Sequence, residues 1–286
     1  MKESVIDIEN KKYPELLKRV KDAPKKLYYK GSWDENIFEN CLAVVGSRRM
    51  TNYGRRVTEK LVKEVASAGI TIVSGFMYGI DATSHRAALD GGGRTIAVMP
   101  CGINIVHPEY QKELYDDILK NQGLIISEFE KDFPPDNWTY PKRNRIVAGL
   151  SKSTLVVEAA LKSGSLITAD FAKKYKRKVF ALPGPITSKV SEGTNQLLKD
   201  EASIVTCAQD ILDFYGIKKS DLNNLNFQKA EGLEKEILEV LKREPMEIDA
   251  LSRMFEIPSS QLGTTLSLMA MKGLVFQEGS KYFISD

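Results

Sequence analysis

The chain has 286 residues, 42% of them hydrophobic and 28% charged, with a formal net charge of +3. That composition excludes a disordered or low-complexity chain and suits one large domain, or a large one with a small one. No apolar run reaches the roughly 20 residues of a membrane span, and the charged start Met1-Lys2-Glu3 lacks the apolar stretch of a secretory signal. The cysteines Cys41, Cys101 and Cys207 are odd in number and far apart, so they read as reduced core residues, with no disulfide and no metal site. A cytoplasmic protein is expected.

Residues 1–40 read as a short, polar N-terminal extension. Tyr13-Pro14 opens a helix over 15–20, and Leu27-Tyr28-Tyr29-Lys30-Gly31 suggests an edge strand. From Cys41 the pattern alternates. Apolar runs predict strands at 42–45, 70–73, 95–99, 124–126, 154–157, 179–182 and 204–205. Helical periods lie between them, over 53–68, 81–90, 110–120, 144–150, 165–176, 195–200 and 208–215. Short, continuously apolar strands separated by helices predict a buried parallel sheet with helices on both faces. The fold class is therefore α/β: a doubly wound, mostly parallel, Rossmann-like domain over 41–216. Residues 217–230 are polar and Asn-rich and read as a linker. Helices over 233–243, 247–255 and 259–272, then strands over 274–277 and 282–284, give residues 231–286 the order of a small winged helix-turn-helix domain.

Charge is unevenly spread. Residues 231–286 hold six Lys/Arg and ten Asp/Glu, a balance of −4, which leaves +7 on residues 1–230. A site for a polyanion is expected in the larger domain. Within it, the carboxyl ends of the predicted strands are rich in small and hydroxyl residues. These are Gly46-Ser47-Arg48-Arg49, Ser74-Gly75 with Gly79-Ile80-Asp81, Pro100-Cys101-Gly102, Ser163-Gly164-Ser165 and Pro183-Gly184-Pro185. Ligands of open parallel sheets bind at that edge, and such turns let backbone N–H groups approach phosphates closely.

The stretch Tyr140-Pro141-Lys142-Arg143-Asn144-Arg145 sets three cations at a predicted helix start, where the helix dipole repels positive charge. A bound polyanion removes that conflict. Phe133, Trp138 and Tyr140 flank the motif, and Phe76 and Tyr78 follow the second strand of the alternating pattern. Cations beside aromatic rings suit single-stranded nucleic acid, whose backbone follows the charge while its bases stack. Trp138 is equally well explained as a residue closing a loop over the core.

Known cofactor signatures are missing. Neither G-x-G-x-x-G after the first strand of the alternating pattern nor a P-loop is present, so no cofactor is expected. His85 lies within a helical run and reads as packing, while His107 precedes Pro108 without a ligand partner. Asp81 reads as a helix cap. Glu158 ends a strand and is the one candidate acid facing the groove, with Arg143 and Arg145 near enough to keep it ionised. No nucleophile, base and orienting group form a set, so an enzyme is not expected. A second basic run, Lys173-Lys174-Tyr175-Lys176-Arg177-Lys178, falls on the opposite edge and reads as a solvated helix end or a partner contact.

These motifs together resemble the DprA/Smf family of DNA-processing proteins of bacterial natural transformation. The resemblance spans about residues 13–285. It is carried by Gly46-Ser47-Arg48, Ser74-Gly75 with Gly79-Ile80-Asp81, and residues 141–151. Val157-Glu158-Ala159-Ala160, residues 163–169, Leu182-Pro183-Gly184 and Glu192-Gly193-Thr194-Asn195 complete it. It implies an extended Rossmann fold, sequence-independent binding of single-stranded DNA, protection of incoming DNA, a homodimer, and loading of the RecA recombinase. Carried onto this sequence, it implies DNA contacts at Gly46, Ser47, Arg48, Ser74, Gly75, Lys142, Arg143, Asn144, Arg145, Gly164 and Ser165, while the aromatic residues beside them make Tyr78, Trp138 and Tyr140 the candidates for stacking. Two departures stand out. The N-terminal helical domain of many members is reduced to a short segment, and Phe76-Met77-Tyr78 puts bulky residues where the family commonly has small ones. The alternative reading is an enzyme or sensor for a nucleotide derivative, related to the phosphoribohydrolases, but their Pro-Gly-Gly loop is missing. The acidic C-terminal domain, with no Lys or Arg over 259–271, fits a protein contact as well as a DNA contact.

Overall fold

The structure, a computed structural model, describes residues 4–218, 232–271 and 274–284. It divides into two compact units, Met1–Gly216 and Ile217–Asp286. The linker expected over 217–230 lies, beyond Lys218, outside the described residues.

The larger unit is built on nine strands. These are β1 (Ser4–Asp7), β2 (Lys26–Gly31), β3 (Cys41–Val45), β4 (Thr71–Ser74), β5 (Thr95–Val98), β6 (Leu124–Ser127), β7 (Ser153–Val156), β8 (Lys178–Ala181) and β9 (Ser203–Ile204). Their order is β1-β2-β6-β5-β4-β3-β7-β8-β9. Strands β3 to β9 are parallel, and β2 and β1 add to β6 in antiparallel fashion. The segment read as an extension thus widens the sheet. Residues 27–31 are not at an edge, because Ser4–Asp7 pairs along the far side of β2. Nothing in 4–7 beyond a short alternation announces that strand.

Helices α1 (Glu15–Lys18), α2 (Asn52–Ser67), α3 (Ile80–Asp90), α4 (Lys112–Lys120), α5 (Thr139–Leu150), α6 (Gly164–Lys174), α7 (Glu192–Lys199) and α8 (Ala208–Phe214) cover both faces. The period-2 alternation of a strand separates the two layers. Ile96, Val98, Leu124 and Ile126 pack with Leu17 of α1 and Ile146 of α5. Their neighbours Ala97, Met99 and Ile125 pack with Tyr115 and Ile118 of α4. Cys41 and Cys101 are buried, which pushes both thiols up to about 12. Cys207, expected in the core, is exposed, because it precedes α8 at the surface.

The smaller unit contains α9 (Leu233–Leu241), β10 (Met246–Glu247), α10 (Ile248–Phe255), α11 (Ser259–Met271), β11 (Val275–Glu278) and β12 (Lys281–Ile284). Its sheet runs β10-β12-β11, antiparallel throughout. Ile237, Leu251, Leu262, Leu266 and Val275 form its core. The sequence pattern misses only β10, a two-residue strand too short to carry a period.

Candidate functional site

Strand order reverses between β3 and β7: from β3 the chain builds outward through β4, β5 and β6, then returns to the other side of β3. Loops leaving adjacent strands in opposite directions open a crevice at such a switch point. A cleft of about 630 Å³ lies there. Its walls are the loop after β3 (Ser47, Arg48, Arg49), the loop after β7 (Lys162, Ser163, Gly164), Tyr78 after β4, and Tyr140 and Asn144 of α5.

Glu158 fixes the first of these loops. Its carboxylate is almost fully buried and accepts from the Thr51 N–H at 2.8 Å and the Thr51 hydroxyl at 2.5 Å. Thr51 in turn caps α2, accepting from Gly54 N–H at 3.1 Å. A Cβ on Gly54 would sit 2.3 Å from the Glu158 carboxylate, so glycine is needed for this approach. Gly79 has φ +80°, and a Cβ there would meet the Ser47 carbonyl at 2.4 Å. Glu158 therefore holds the loop in place and does not face the cleft with Arg143 and Arg145, as the sequence suggests.

Helix α5 begins at Thr139, five residues before the predicted start, so the whole basic motif lies on helix. At 100° per residue, adjacent cations point to different faces. Tyr140 and Asn144 face the cleft, and Asn144 donates to the Gly164 carbonyl at 3.1 Å. Arg143 is 3% exposed and lines the floor of the cleft, donating through Nη1 to the carbonyls of Gly75 and Val98. Burial pushes its guanidinium down to about 10, partly offset by Asp81 beside it. Burial pushes the Asp81 carboxyl up, against the pull of Arg143. Lys142 and Arg145 lie on the other side of α5 and share Glu128, at 3.4 and 2.5 Å. Arg145 is 8% exposed. The helix start, expected to need an external polyanion, meets two of its cations with an internal carboxylate.

Ser74 and Gly75 are buried as well: the Ser74 hydroxyl donates to the Val44 carbonyl at 2.6 Å, and the Gly75 carbonyl is taken by Arg143. Trp138 packs edge-on against Phe129 and Phe133 beneath the Lys142 ammonium, away from the cleft. Phe76 belongs to the core, against Tyr115, despite its left-handed φ of 58°. Of the bulky trio after β4, only Tyr78 presents an exposed ring to the cleft.

The cleft keeps the following groups. Arg48 is exposed between two rings, 5.7 Å from the centre of Tyr78 and 5.1 Å from that of Tyr140. Tyr140 is anchored by its hydroxyl on His107 Nε2 at 2.8 Å. Burial first, then Arg48 and Arg143, pulls the His107 imidazole below its ordinary range. Arg49 and Lys162 are exposed on opposite lips of the cleft. Among the described residues, Arg48, Arg49 and Lys162 form no ion pair. The N-terminus of α6 opens beside them, and a Cβ on Gly164 would meet nothing within 4 Å. Ser163 and Ser165 share a hydroxyl contact of 2.7 Å at this end. Gly46 packs on Ile80, where a Cβ would come within 2.6 Å.

The profile of the family described as DNA recombination-mediator protein A matches residues 4–216, three quarters of the chain. The chain belongs to that family. It is 43% identical over 209 residues to Protein Smf of Escherichia coli, covering 73% of this chain and 56% of that one. It is 41% identical over 200 residues to DNA processing protein DprA of Streptococcus pneumoniae, covering 70% of each. The matched part is thus little more than half the length of the first relative. Among solved structures, the larger unit is similar to DprA of S. pneumoniae, with TM-score 0.69, 39% identity and 73% of each chain covered. It is also similar to DNA processing protein A of Helicobacter pylori, with TM-score 0.66 and 35% identity, over 74% of this chain and 95% of that one. The H. pylori work concerns the unique single-stranded DNA binding mode of that protein.

Lys162 is a cleft residue that sequence reasoning passed over, and Arg49, named there in the strand-end turn, was not assigned to DNA contact. Lys162 stands one residue before Ser163-Gly164-Ser165, so its place at a strand's carboxyl end was the available signal. The role of His107 as anchor of Tyr140 depends on tertiary contact and had none.

Proposed function

We propose that the cleft binds single-stranded DNA without reading its sequence, and that the protein acts as a recombination mediator. The observation that carries this is the set of cations Arg48, Arg49 and Lys162, without an ion pair among the described residues, around a cleft faced by Tyr78 and Tyr140. Phosphates are met by guanidinium and ammonium groups and by the N–H groups at the start of α6. Rings on the same rim offer stacking surfaces indifferent to base identity. Family membership and the single-stranded DNA binding of the H. pylori protein support the same reading. Of the residues implied by the resemblance, Gly46, Ser47, Arg48, Asn144, Gly164 and Ser165 are assigned to DNA contact. Ser74, Gly75, Arg143 and Arg145 are assigned to shaping the site from beneath or behind it. Lys142 has its charge directed to Glu128.

The reading extends to protection of incoming DNA and delivery of it to the RecA recombinase by a homodimer in the cytoplasm, without catalysis. Glu158 is spent on Thr51, and His85 is buried with its Nδ1 on the Thr95 hydroxyl at 2.6 Å. Neither is placed to move a proton in the cleft. The test compares a 20-nucleotide single strand with a duplex of equal length, for wild type, Tyr78→Ala and Tyr140→Ala. The single strand binds tighter, and each substitution weakens it by about 5- to 150-fold, the worth of one stacked base. Equal or tighter duplex binding overturns the proposal.

A further inference from the structure

The second basic run forms a distinct surface at the opposite edge of the sheet. Lys152 precedes β7, and Lys176, Arg177 and Lys178 lead into β8. With Phe214 and Tyr215 they line a groove of about 650 Å³. Among the described residues, no carboxylate lines it. Lys152 donates to the Asn40 amide oxygen at 2.6 Å, which leaves its charge uncompensated. Tyr215 is the fixed wall, its hydroxyl on the Cys41 carbonyl at 2.6 Å. Phe214 remains 44% exposed.

Cations near the end of α6 suit its dipole, and Lys173 and Lys174 in its last turn need no further reason. Lys176 and Lys178 lie past the helix. Lys176 also holds φ +57°, the position after a helix where glycine is usual because it avoids the Cβ penalty. Gln122, Glu201 and Glu256 hold the same conformation at the ends of other helices, so what marks this edge is the gathering of three lysines and an exposed ring around one groove.

We propose that this edge groove is a second nucleic-acid site, taking the backbone of another strand or segment on Lys152, Lys176 and Lys178 with a base against Phe214. Helix α6 runs from the cleft to this edge, and its 11 residues span about 16 Å. An eight-nucleotide strand is longer than this, about 27 Å at 3.4 Å per nucleotide, so separate occupancy is read at saturating excess, where each site takes its own strand. The groove stands apart from the cleft, so either assignment can fail alone.

The test is the number of dT8 molecules bound per chain at saturation in low salt, using the full chain. Wild type binds two. Lys152→Glu with Lys176→Glu and Lys178→Glu binds one, and Arg48→Ala with Lys162→Ala retains the edge-bound one. Lys176→Gly, which relieves the backbone, keeps or raises the unfolding midpoint while weakening the second dT8 at least threefold. One dT8 per wild-type chain, two on the charge-reversed variant, or unchanged binding by Lys176→Gly overturns the proposal. Polyglutamate bound at this edge as tightly as dT8 overturns the nucleic-acid assignment. A cleft variant that still binds two dT8 contradicts the cleft reading and leaves the edge site standing.

Discussion

Arg143 separates a structural cation from a DNA-contacting one, and its replacement by alanine measures the difference. The guanidinium is buried in the cleft floor, donating to the Gly75 and Val98 carbonyls and facing the buried Asp81. Arg143→Ala removes both donations. A buried acceptor left without its partner costs about 1–3 kcal/mol, and breaking a buried charge pair about 3–5 kcal/mol. These losses overlap, since Asp81 escapes part of its own by taking up a proton. The expected destabilisation is about 3–5 kcal/mol. With a urea m-value of about 2 kcal/mol/M, the midpoint falls by roughly 1.5–2.5 M. Arg143→Lys keeps a charge but cannot span both carbonyls, so it loses about half as much. The assay is urea denaturation of the full chain followed by circular dichroism. A loss below 1 kcal/mol for Arg143→Ala would refute the buried role and return Arg143 to the cleft surface.

Arg145→Ala leaves Glu128 facing only Lys142, so stability falls by about 2–4 kcal/mol. The salt dependence of DNA binding stays as in wild type, and a flattened slope in salt titrations contradicts this placement. His85 is fully buried, and burial lowers its pKa to about 3 from 6.5. The unfolded chain then takes the proton first, so the stabilising contribution is complete above pH 6.5 and is lost as pH falls toward 3. Denaturation across pH 6 to 4 loses about 1.4 kcal/mol per unit from this group. His85→Leu removes that part of the slope, and an unchanged slope contradicts the assignment. Gly79→Ala forces a Cβ against the Ser47 carbonyl at left-handed φ, costing about 2 kcal/mol or more by thermal melting. A neutral result shows that the loop can shift freely.

The fold was legible because the strands carry their own signal. The central strands are short apolar runs, most of them closed by glycine, serine or proline, with β7 closed by Glu158, and the period changes cleanly between strands and helices. The sheet's antiparallel edge was harder to see, since Ser4–Asp7 has one buried residue in four. The site was legible as a location: strand ends rich in glycine and serine at a switch point. Its assignment to individual cations was not. Lys142, Arg143 and Arg145 are neighbours in sequence but diverge around α5, and the carboxylates that receive them, Asp81 and Glu128, lie far away in the chain. Arg48 was found because it is adjacent to the first turn. Lys162 was missed because its one signal is its place beside Ser163-Gly164-Ser165, and a lone lysine adds no charge pattern to that turn.

The central claim is that the exposed cations Arg48, Arg49 and Lys162 around the cleft meet a phosphate backbone. The most direct measurement is the affinity for a dT20 strand against salt concentration, for wild type and for Arg48→Ala with Arg49→Ala and Lys162→Ala. Each lost phosphate contact on a single strand lowers the log–log slope by about 0.7. The triple variant is expected to bind at least tenfold more weakly at low salt, with a slope smaller by about 2. A variant that keeps the wild-type slope and affinity contradicts the account.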